Sequence, residues 1–320
     1  MRPVLAADPN LLERACVIIP TLNAEPFLKR MLPVLRQQGI AASQVFIIDS
    51  SSTDSTASLA HDFGARVEII DRNEFNHGGT RRRAARALAD FDILVYLTQD
   101  AIPAASNTIC RLVESFHDHD LGMAYGRQLP RQGATPIERH ARLYNYSDIS
   151  EVRGLEDRKR LGIKTCFCSN SFAAYRQSAL EQVGSFPEDA YFAEDQIVAG
   201  KLLLAGWKIA YRADAQVFHS HGYTLVEEFR RYFDVGVFHA RNPWLLDTFG
   251  SVEGDGFKFL GSELKYLLRY SPQSIPSALL RTVAKYSAYK LGREEAKLSN
   301  SWKRRLGMQA FYWKALKTQG

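Results

Sequence analysis

Two apolar segments near the start of the chain each end abruptly in a cluster of polar, turn-forming residues. The first covers residues 16–23 and reads CVIIPTLN, and the second covers 45–56 and reads VFIIDSSSTDST. Between them, apolar residues recur at helical spacing over 27–35. A strand, a helix and a second strand in this order predict a parallel pair whose polar ends lie together at one edge. Open α/β sheets bind their ligands at that edge.

The alternation of strands and helices continues to about residue 218. The predicted elements are helices at 54–63 and 79–89, an amphipathic helix after Pro103 and a helix at 192–204, with strands at 66–70, 93–97, 123–126, 166–175, 207–211 and 217–218. This rhythm predicts a mainly parallel sheet with right-handed crossovers. The polar stretch 128–164 interrupts it, and we interpret that stretch as a mobile or partner-facing insertion.

From about residue 225 the pattern becomes almost entirely helical. Basic amphipathic segments lie at 264–270, 275–291 and 302–316. They carry aromatic residues such as Tyr266, Trp302 and Trp313 near their polar faces, a combination that suits an anionic membrane surface. Helices that pack on the rest of the chain with a solvated basic face are the alternative. We therefore predict an α/β domain at 1–222 and a helical region at 223–320 that is a candidate for membrane or partner contact.

Composition narrows the classes of partner. A chain of 320 residues with 46% hydrophobic content can bury a large core, and its formal net charge of +6 favours polyanions. Nucleic acid is disfavoured because the positive charge is spread over C-terminal helices and no base-reading module is recognised. The four cysteines do not form a zinc pattern and are expected to be reduced. We expect a cytoplasmic protein, because the first residues break too soon for a secretory segment and no stretch approaches the ~18 apolar residues of a spanning helix.

The strand ends offer candidate ligand-binding groups. Asp49 closes an apolar strand, where a carboxylate can accept a hydrogen bond from a pyrimidine N–H or a ribose hydroxyl. Capping of the following helix is the alternative explanation for this acid. The second polar turn, at 20–23, is expected on the same edge and favours the binding role.

A glycine and arginine segment, Phe75-Asn-His-Gly-Gly-Thr-Arg-Arg-Arg83, precedes and opens a predicted helix. Exposed N–H groups at a helix start together with guanidinium groups could form a diphosphate cradle. A glycine turn that leads into a solvated basic helix is the alternative. The segment matches neither a Walker sequence nor the G-x-G-x-x-G pattern.

Two further sets of residues could carry chemistry. Asp100 follows the strand at 93–97, where a carboxylate beside a diphosphate can hold a divalent cation, and His219 could supply another ligand if its loop returns to that edge. Glu194 and Asp195 open the helix that runs to residue 204. Acids at a helix start commonly only favour the helix dipole, but a carboxylate beside a substrate hydroxyl can also act as a general base.

Four motifs taken in order resemble family 2 glycosyltransferases of the GT-A fold. They are IIPTLN at 18–23, IDSSSTDS at 48–55, Thr98-Gln-Asp100, and Glu194-Asp195 with the downstream His219. The resemblance covers roughly residues 14–241. Within that family, 75–81 and 97–101 are similar to bacterial rhamnosyltransferases that build O-antigen or other surface polysaccharide.

The resemblance implies an α/β GT-A nucleotide-sugar-binding fold, with a mostly parallel sheet and a helical C-terminal extension. It implies nucleotide-sugar contacts for Pro20, Thr21, Asn23, Asp49, Ser51, Asn76, His77, Gly78, Arg81, Gln99 and Asp100. Asp100 and His219 would hold Mg²⁺ or Mn²⁺. Thr98 departs from the family pattern, because the first Asp of the metal motif is expected there. We therefore expect weaker metal binding and more of the diphosphate charge on Arg81 and its neighbours.

The same resemblance implies a reaction. Asp195 would deprotonate the acceptor hydroxyl, and Glu194 would position the acceptor or the base. The acceptor oxygen would then attack the anomeric carbon in one inverting displacement. The implied donor is dTDP-β-L-rhamnose, and the implied acceptor is a lipid-linked glycan at the cytoplasmic face of the membrane. The pattern identifies neither the acceptor sugar nor the linkage position, and it leaves the oligomeric state open.

Three alternatives stand beside this prediction. The donor could be another nucleotide deoxysugar or a hexose. A sugar-1-phosphate nucleotidyltransferase would use a similar pocket, but its glycine-rich start is missing here. A non-catalytic glycan or membrane scaffold could retain the fold, with Thr98 marking a decayed metal site. Release of nucleoside diphosphate that depends on an acceptor would distinguish an enzyme from a scaffold.

Overall fold

The computed structural model describes residues 11–190, 192–251, 253–309 and 312–315. The first ten residues, on which the expectation about a secretory segment depends, lie outside this part of the chain. The strands are β1 (Ala15–Thr21), β2 (Val45–Asp49), β3 (Arg66–Ile69), β4 (Ile93–Leu97), β5 (Ile102–Pro103), β6 (Leu121–Leu129), β7 (Glu151–Arg153), β8 (Phe172–Arg176) and β9 (Lys208–Phe218). The two strands predicted at 207–211 and 217–218 are one continuous strand, β9.

The helices flank the sheet and then continue as a separate C-terminal group. They are α1 (Glu25–Leu35), α2 (Thr56–Phe63), α3 (His77–Ala87), α4 (Thr108–Val113), α5 (Pro136–Asn145), α6 (Arg158–Leu161), α7 (Gln177–Gln182), α8 (Glu194–Leu204), α9 (Leu225–Arg241), α10 (Pro243–Phe249), α11 (Glu253–Tyr270), α12 (Ile275–Arg293), α13 (Asn300–Leu306) and α14 (Tyr312–Ala315). The helix predicted at 79–89 begins two residues earlier, because Asn76 caps it.

All of these strands belong to one sheet, in the order β3-β2-β1-β4-β8-β6-β9-β5, with β7 paired to β9. β1 to β4 are mutually parallel as predicted, and Thr21 lies opposite Asp49 at their carboxyl ends. β8, however, runs antiparallel to both of its neighbours, and β5 and β7 run antiparallel to β9. The sheet is therefore mixed: β1 to β4 and the pair β6–β9 are parallel, as predicted, whereas β5, β7 and β8 run antiparallel to their neighbours.

The core occupies both faces of the sheet. Along β1, Cys16 and Ile18 pack on one face while Val17 and Ile19 pack on the other, and all four are buried. This continuous apolar run is typical of a strand covered by helices on both sides. The polar residues that follow it therefore emerge at the edge of the sheet rather than on a face.

The polar stretch 128–164 is ordered, so the interpretation that it is mobile is wrong, whereas its contact with a partner stays a prediction. Thr135 accepts a hydrogen bond from the N–H of Glu138 in a capping box that starts α5. β7 pairs with β9, and α5 contacts α11. The predicted strand at 166–175 is also shorter than expected, because Gly162–Cys166 forms a 3₁₀ helix and β8 begins only at Phe172.

The C-terminal helices pack tightly on α9. A Cβ atom at Gly236 would lie 2.3 Å from the carbonyl oxygen of Tyr289, and one at Gly292 would lie 2.1 Å from that of Phe233. The backbones of α9 and α12 therefore meet at two glycines. Trp313 is fully buried in the same region, so its predicted place near a polar face is wrong.

Part of α12 faces solvent. Leu280, Val283 and Tyr286 are 57%, 64% and 61% exposed. Several basic residues of the C-terminal helices pair with acids inside the protein, among them Arg281 with Glu228. Within the described residues, no helix is both long enough and apolar enough to cross a membrane.

Candidate active site

The carboxyl ends of β1 and β2 are joined by a buried carboxylate. Asp49 accepts hydrogen bonds from the Thr21 hydroxyl (2.8 Å), from the Ser52 hydroxyl (2.6 Å) and from the Ser52 N–H (2.8 Å). Pro20, one residue before Thr21, lies opposite Ile48. Asp49 thus holds the edge of the sheet in shape, and its predicted contact with a nucleotide stays a prediction.

Further polar residues extend the same edge. Asn23 and Ser51 adopt left-handed backbone conformations, with φ of 47° and 56°, and both are exposed. The Ser51 hydroxyl donates to the carbonyl of Ile70 (2.8 Å), just beyond β3. Gln99, just beyond β4, accepts the N–H of Leu22 (2.9 Å). The ends of the four parallel strands are therefore tied into one continuous polar edge, as the sequence predicts.

A carboxylate and two imidazoles meet beside this edge. His219 Nε2 lies 3.4 Å from Asp100 Oδ2, and His221 Nε2 lies 3.9 Å from the same oxygen. The ligating atoms of these three residues all lie within 4.8 Å of one another. The sequence prediction paired Asp100 with His219 and missed His221. The signal was present, because residues two apart in an extended segment point to the same side.

Gln128 fixes the orientation of the His219 ring. Its Oε1 accepts from the guanidinium of Arg142 (2.8 Å) and lies 2.9 Å from His219 Nδ1, while its Nε2 donates to Ser169 (2.9 Å). Because an acceptor oxygen faces Nδ1, that nitrogen carries the proton, and Nε2 is the atom turned toward Asp100. A hydrogen bond on the ring nitrogen that faces away from the ligand atoms is typical of a metal-binding histidine.

The charge states of this cluster suit a cation. Burial disfavours the charged form of Asp100, but hydrogen bonding and charge from His219 outweigh it and hold its pKa well below the ordinary value. Burial, with the nearby His219, lowers the pKa of His221 to about 4, so His221 is a neutral imidazole at neutral pH. One carboxylate and two imidazoles fit a divalent transition ion.

The acid pair at the start of α8 is held by a buried cation. The Arg81 guanidinium lies 2.9 Å from Glu194, and each side chain is only 7% exposed. Asn170 Nδ2 donates to Glu194 (3.0 Å), and Arg81 donates to the carbonyl of His77 (3.0 Å). Although burial opposes ionisation, Arg81, His77 and Asn170 together lower the pKa of Glu194. Glu194 is therefore a fixed negative charge.

Asp195 has the opposite character. Asp195 as a whole residue is half-buried, and its Oδ2 accepts the N–H of Asn170 (3.0 Å). Burial and the adjacent charge of Glu194 raise its pKa to about 6. The preceding Ala193 has a left-handed conformation, with φ of 52°, which turns the chain sharply into α8. A carboxylate with this pKa can accept a proton near neutral pH.

One loop joins the acid pair to the Asp100 cluster. The Ser169 hydroxyl accepts a hydrogen bond from the side-chain amide of Gln128. The next residue, Asn170, donates hydrogen bonds to both Glu194 and Asp195. The loop is also tied to the end of β4, because Thr98 N–H donates to the carbonyl of Ser171 (3.2 Å). One loop near the carboxyl ends of the parallel strands therefore links the two sets of acids, and together they form the candidate site.

Comparison with known proteins identifies the family to which the chain belongs. Residues 16–184 match the protein-family model described as Glycosyl transferase family 2. The chain belongs to this family. It is 47% identical to the O-antigen chain rhamnosyltransferase RfbN of Salmonella typhimurium and 45% identical to WbaN of Salmonella anatum, in each case over 93% of this chain and 95% of the relative. The protein is a glycosyltransferase that is closely similar to O-antigen rhamnosyltransferases.

Solved structures show the fold of this glycosyltransferase. The mannosyltransferase PcManGT of Pyrobaculum calidifontis, in complex with GDP-Man and Mn²⁺, has a TM-score of 0.55 at 21% identity, over 96% of this chain and 87% of that one. Residues 1–349 of TarS from S. aureus give a TM-score of 0.52 at 16% identity, over 88% of this chain and 91% of that one. These likenesses confirm the GT-A fold that the motif order predicts.

The glycine and arginine segment of the glycosyltransferase has structural roles. Asn76 accepts the N–H of Gly79 (2.5 Å) as the N-cap of α3, and a Cβ atom on Gly78 would collide with the carbonyl oxygen of Pro187. Its arginines pair with carboxylates: Arg81 with Glu194, Arg82 with Glu188, and Arg83 with Glu68 and Glu74. A diphosphate would have to compete with these acids, and the nucleotide contacts of Asn76, His77, Gly78 and Arg81 stay predictions.

Proposed function

We propose that this glycosyltransferase transfers L-rhamnose from dTDP-β-L-rhamnose to a hydroxyl group of a lipid-linked glycan, with inversion at the anomeric carbon. The names of its two close relatives support the sugar, because both cover almost the whole chain. The observation that carries the chemistry is the loop at Ser169 and Asn170, which contacts Asp195 and, through Gln128, the Asp100 cluster. The nucleotide, the anomeric outcome and the acceptor belong to the proposal.

Asp195 acts as the general base. At neutral pH its carboxylate form predominates because its pKa is about 6, and it accepts the proton of the acceptor hydroxyl. The acceptor oxygen attacks the anomeric carbon as the bond to the diphosphate breaks, and no covalent intermediate with the protein forms. Glu194, ionised beside Arg81, makes Asp195 more basic than an isolated aspartate.

Asp100, His219 and His221 would hold a divalent cation. The fit is supported by their mutual distances and by the hydrogen bond between Gln128 and His219 Nδ1, which turns Nε2 toward Asp100. When bound, such an ion stabilises the negative charge of the departing diphosphate. Two imidazole ligands favour Mn²⁺ over Mg²⁺, because Mg²⁺ is held mainly by oxygen.

Contact with an anionic membrane surface would bring the enzyme to a lipid-linked acceptor at the cytoplasmic face. The exposed Leu280, Val283 and Tyr286 of α12 support this part of the proposal, and the exposed Lys290 lies one turn further on. Co-sedimentation with vesicles of phosphatidylglycerol should fall when Leu280 and Val283 are both changed to Glu. Equal sedimentation of the variant and the wild type would contradict the contact.

A donor panel tests the function. The wild type is incubated with Mn²⁺, a lipid-linked glycan acceptor and dTDP-rhamnose, other nucleotide deoxysugars or nucleotide hexoses, and nucleoside diphosphate release is measured. We expect release that depends on the acceptor and is fastest with dTDP-rhamnose. Faster release from another nucleotide sugar would refute the proposed donor, whereas equal turnover by Asp195→Asn would refute the proposed base.

A further inference from the structure

Arg231, on α9 in the C-terminal helical region, lies between two aromatic rings beside the candidate site. Its guanidinium carbon is 5.3 Å from the centre of the Phe192 ring and 5.7 Å from that of Tyr223. Phe192 is two residues before Glu194 in sequence, and Tyr223 stacks on His221 at 5.2 Å. Through these two rings, Arg231 lies between the segment that leads into α8 and the aromatic neighbour of His221.

This arginine differs from Arg81 and Arg142 in having no hydrogen-bond or ion-pair partner among the described residues. Arg81 is bound to Glu194, and Arg142 donates to Gln128. Among the described residues, by contrast, no carboxylate or other hydrogen-bond acceptor pairs with Arg231, whose contacts are the two rings. It is partly buried, so its charge is not fully solvated. Stacking on aromatic faces leaves the edges of a guanidinium free to form hydrogen bonds.

The charge of Arg231 also acts on His77, which lies beside the acid pair. Burial is the largest cause that lowers the pKa of His77, and the charges of Arg81 and Arg231 lower it further. His77 contacts Arg81, which holds Glu194. An anion bound at Arg231 would therefore lie near His77 beside the acid pair and near His221 of the Asp100 cluster.

We propose that Arg231 binds the diphosphate of the nucleotide-sugar donor and stabilises it as the leaving group. The planar guanidinium suits phosphate oxygens, to which it can donate two parallel hydrogen bonds. This inference rests on the proposed nucleotide-sugar donor, and it extends the active site into the region beyond residue 222. The diphosphate of a lipid-linked acceptor has the same chemistry, so the test must separate the two sources.

Calorimetry with nucleotides tests the proposal. Dissociation constants of dTDP, dTMP and thymidine are measured with Mn²⁺ for the wild type, Arg231→Met and Arg231→Lys. We expect Arg231→Met to weaken dTDP roughly 10- to 100-fold while thymidine binding changes little. Arg231→Lys should recover part of the loss, because it keeps the charge but lacks the planar fork. Arg230→Met, at the exposed neighbouring position on α9, is the matched control.

The other outcomes overturn the proposal in distinguishable ways. If Arg231→Met binds dTDP normally but has a raised KM for the acceptor, the anion is the acceptor's. If neither value changes in a variant with normal thermal unfolding, Arg231 only packs between the rings. Should the wild type bind UDP or GDP rather than dTDP, the proposed donor fails, and the same comparison made with the preferred nucleotide still decides the role of Arg231.

Discussion

The buried pair of Arg81 and Glu194 allows a sharp test of how the acid pair is held. Arg81→Met removes the cation and leaves the Glu194 carboxylate buried beside Asp195. Since both partners are only 7% exposed, solvent cannot replace the lost interaction. Removal of one partner from a buried pair costs about 3–5 kcal/mol of the free energy of unfolding. A control lies on the same helix, because Arg83 is 50% exposed and pairs with Glu68 at the surface.

Loss of Arg81 has a second consequence, for the pH dependence of activity. The positive charge of Arg81 lowers the pKa of Asp195 as well as that of Glu194. Without it, both carboxyl groups hold their protons to higher pH. The rising limb of the pH profile of kcat/KM should therefore move from about 6 to higher pH in Arg81→Met.

Urea unfolding and pH-dependent turnover provide the measurements. We expect the free energy of unfolding to fall by about 3–5 kcal/mol in Arg81→Met and by at most about 1 kcal/mol in Arg83→Met. The double variant Arg81→Met with Glu194→Gln should recover part of the loss, because no uncompensated buried charge remains. Equal losses in the two single arginine variants would refute the reasoning from burial, and an unmoved pH limb would show that Asp195 is not the titrating base.

Three further predictions concern separate parts of the molecule. Asp195→Asn should lower transfer by roughly 10²- to 10⁴-fold while calorimetry shows unchanged dTDP binding, and wild-type kcat/KM should rise with pH to a plateau above about 6. His221→Ala should raise the Mn²⁺ concentration that gives half-maximal turnover by roughly tenfold or more; an unchanged metal titration would exclude it as a ligand. Gly292→Ala should lower the free energy of unfolding in urea by at least about 1–3 kcal/mol, because its Cβ would collide with the backbone of α9. Gly261→Ala, whose Cβ would meet open space, is the control and should not destabilise the protein.

The polar edge of the sheet is predictable because it follows from chain direction. Apolar runs that end in turn-forming residues identify the ends of β1, β2 and β4, and parallel strands bring those ends together. The direction of β8 is not predictable in the same way. Its apolar run has the same appearance whichever way the strand lies between β4 and β6, since a strand buried on both faces has no pattern that reports direction.

The helix α5, which the sequence analysis did not predict, had a recognisable signal in the sequence. Thr135 and Glu138 form the capping box of α5, so a helix start was encoded within the stretch interpreted as an insertion. Gln128, Asn170 and Arg231 gave no comparable signal. Each acts through a contact with residues far away in sequence, and such contacts are set by the packing of the whole domain rather than by local spacing.

The two glycines between α9 and α12 have a consequence for biosynthesis. α9, which carries Arg231, packs against α12, and α12 is synthesised after α9. A nascent chain that has emerged only as far as residue 241 contains every described strand of the sheet, but it lacks the surface of α12 against which α9 packs. We therefore expect α9 to take its place beside the candidate site only when α12 has been translated, late in synthesis.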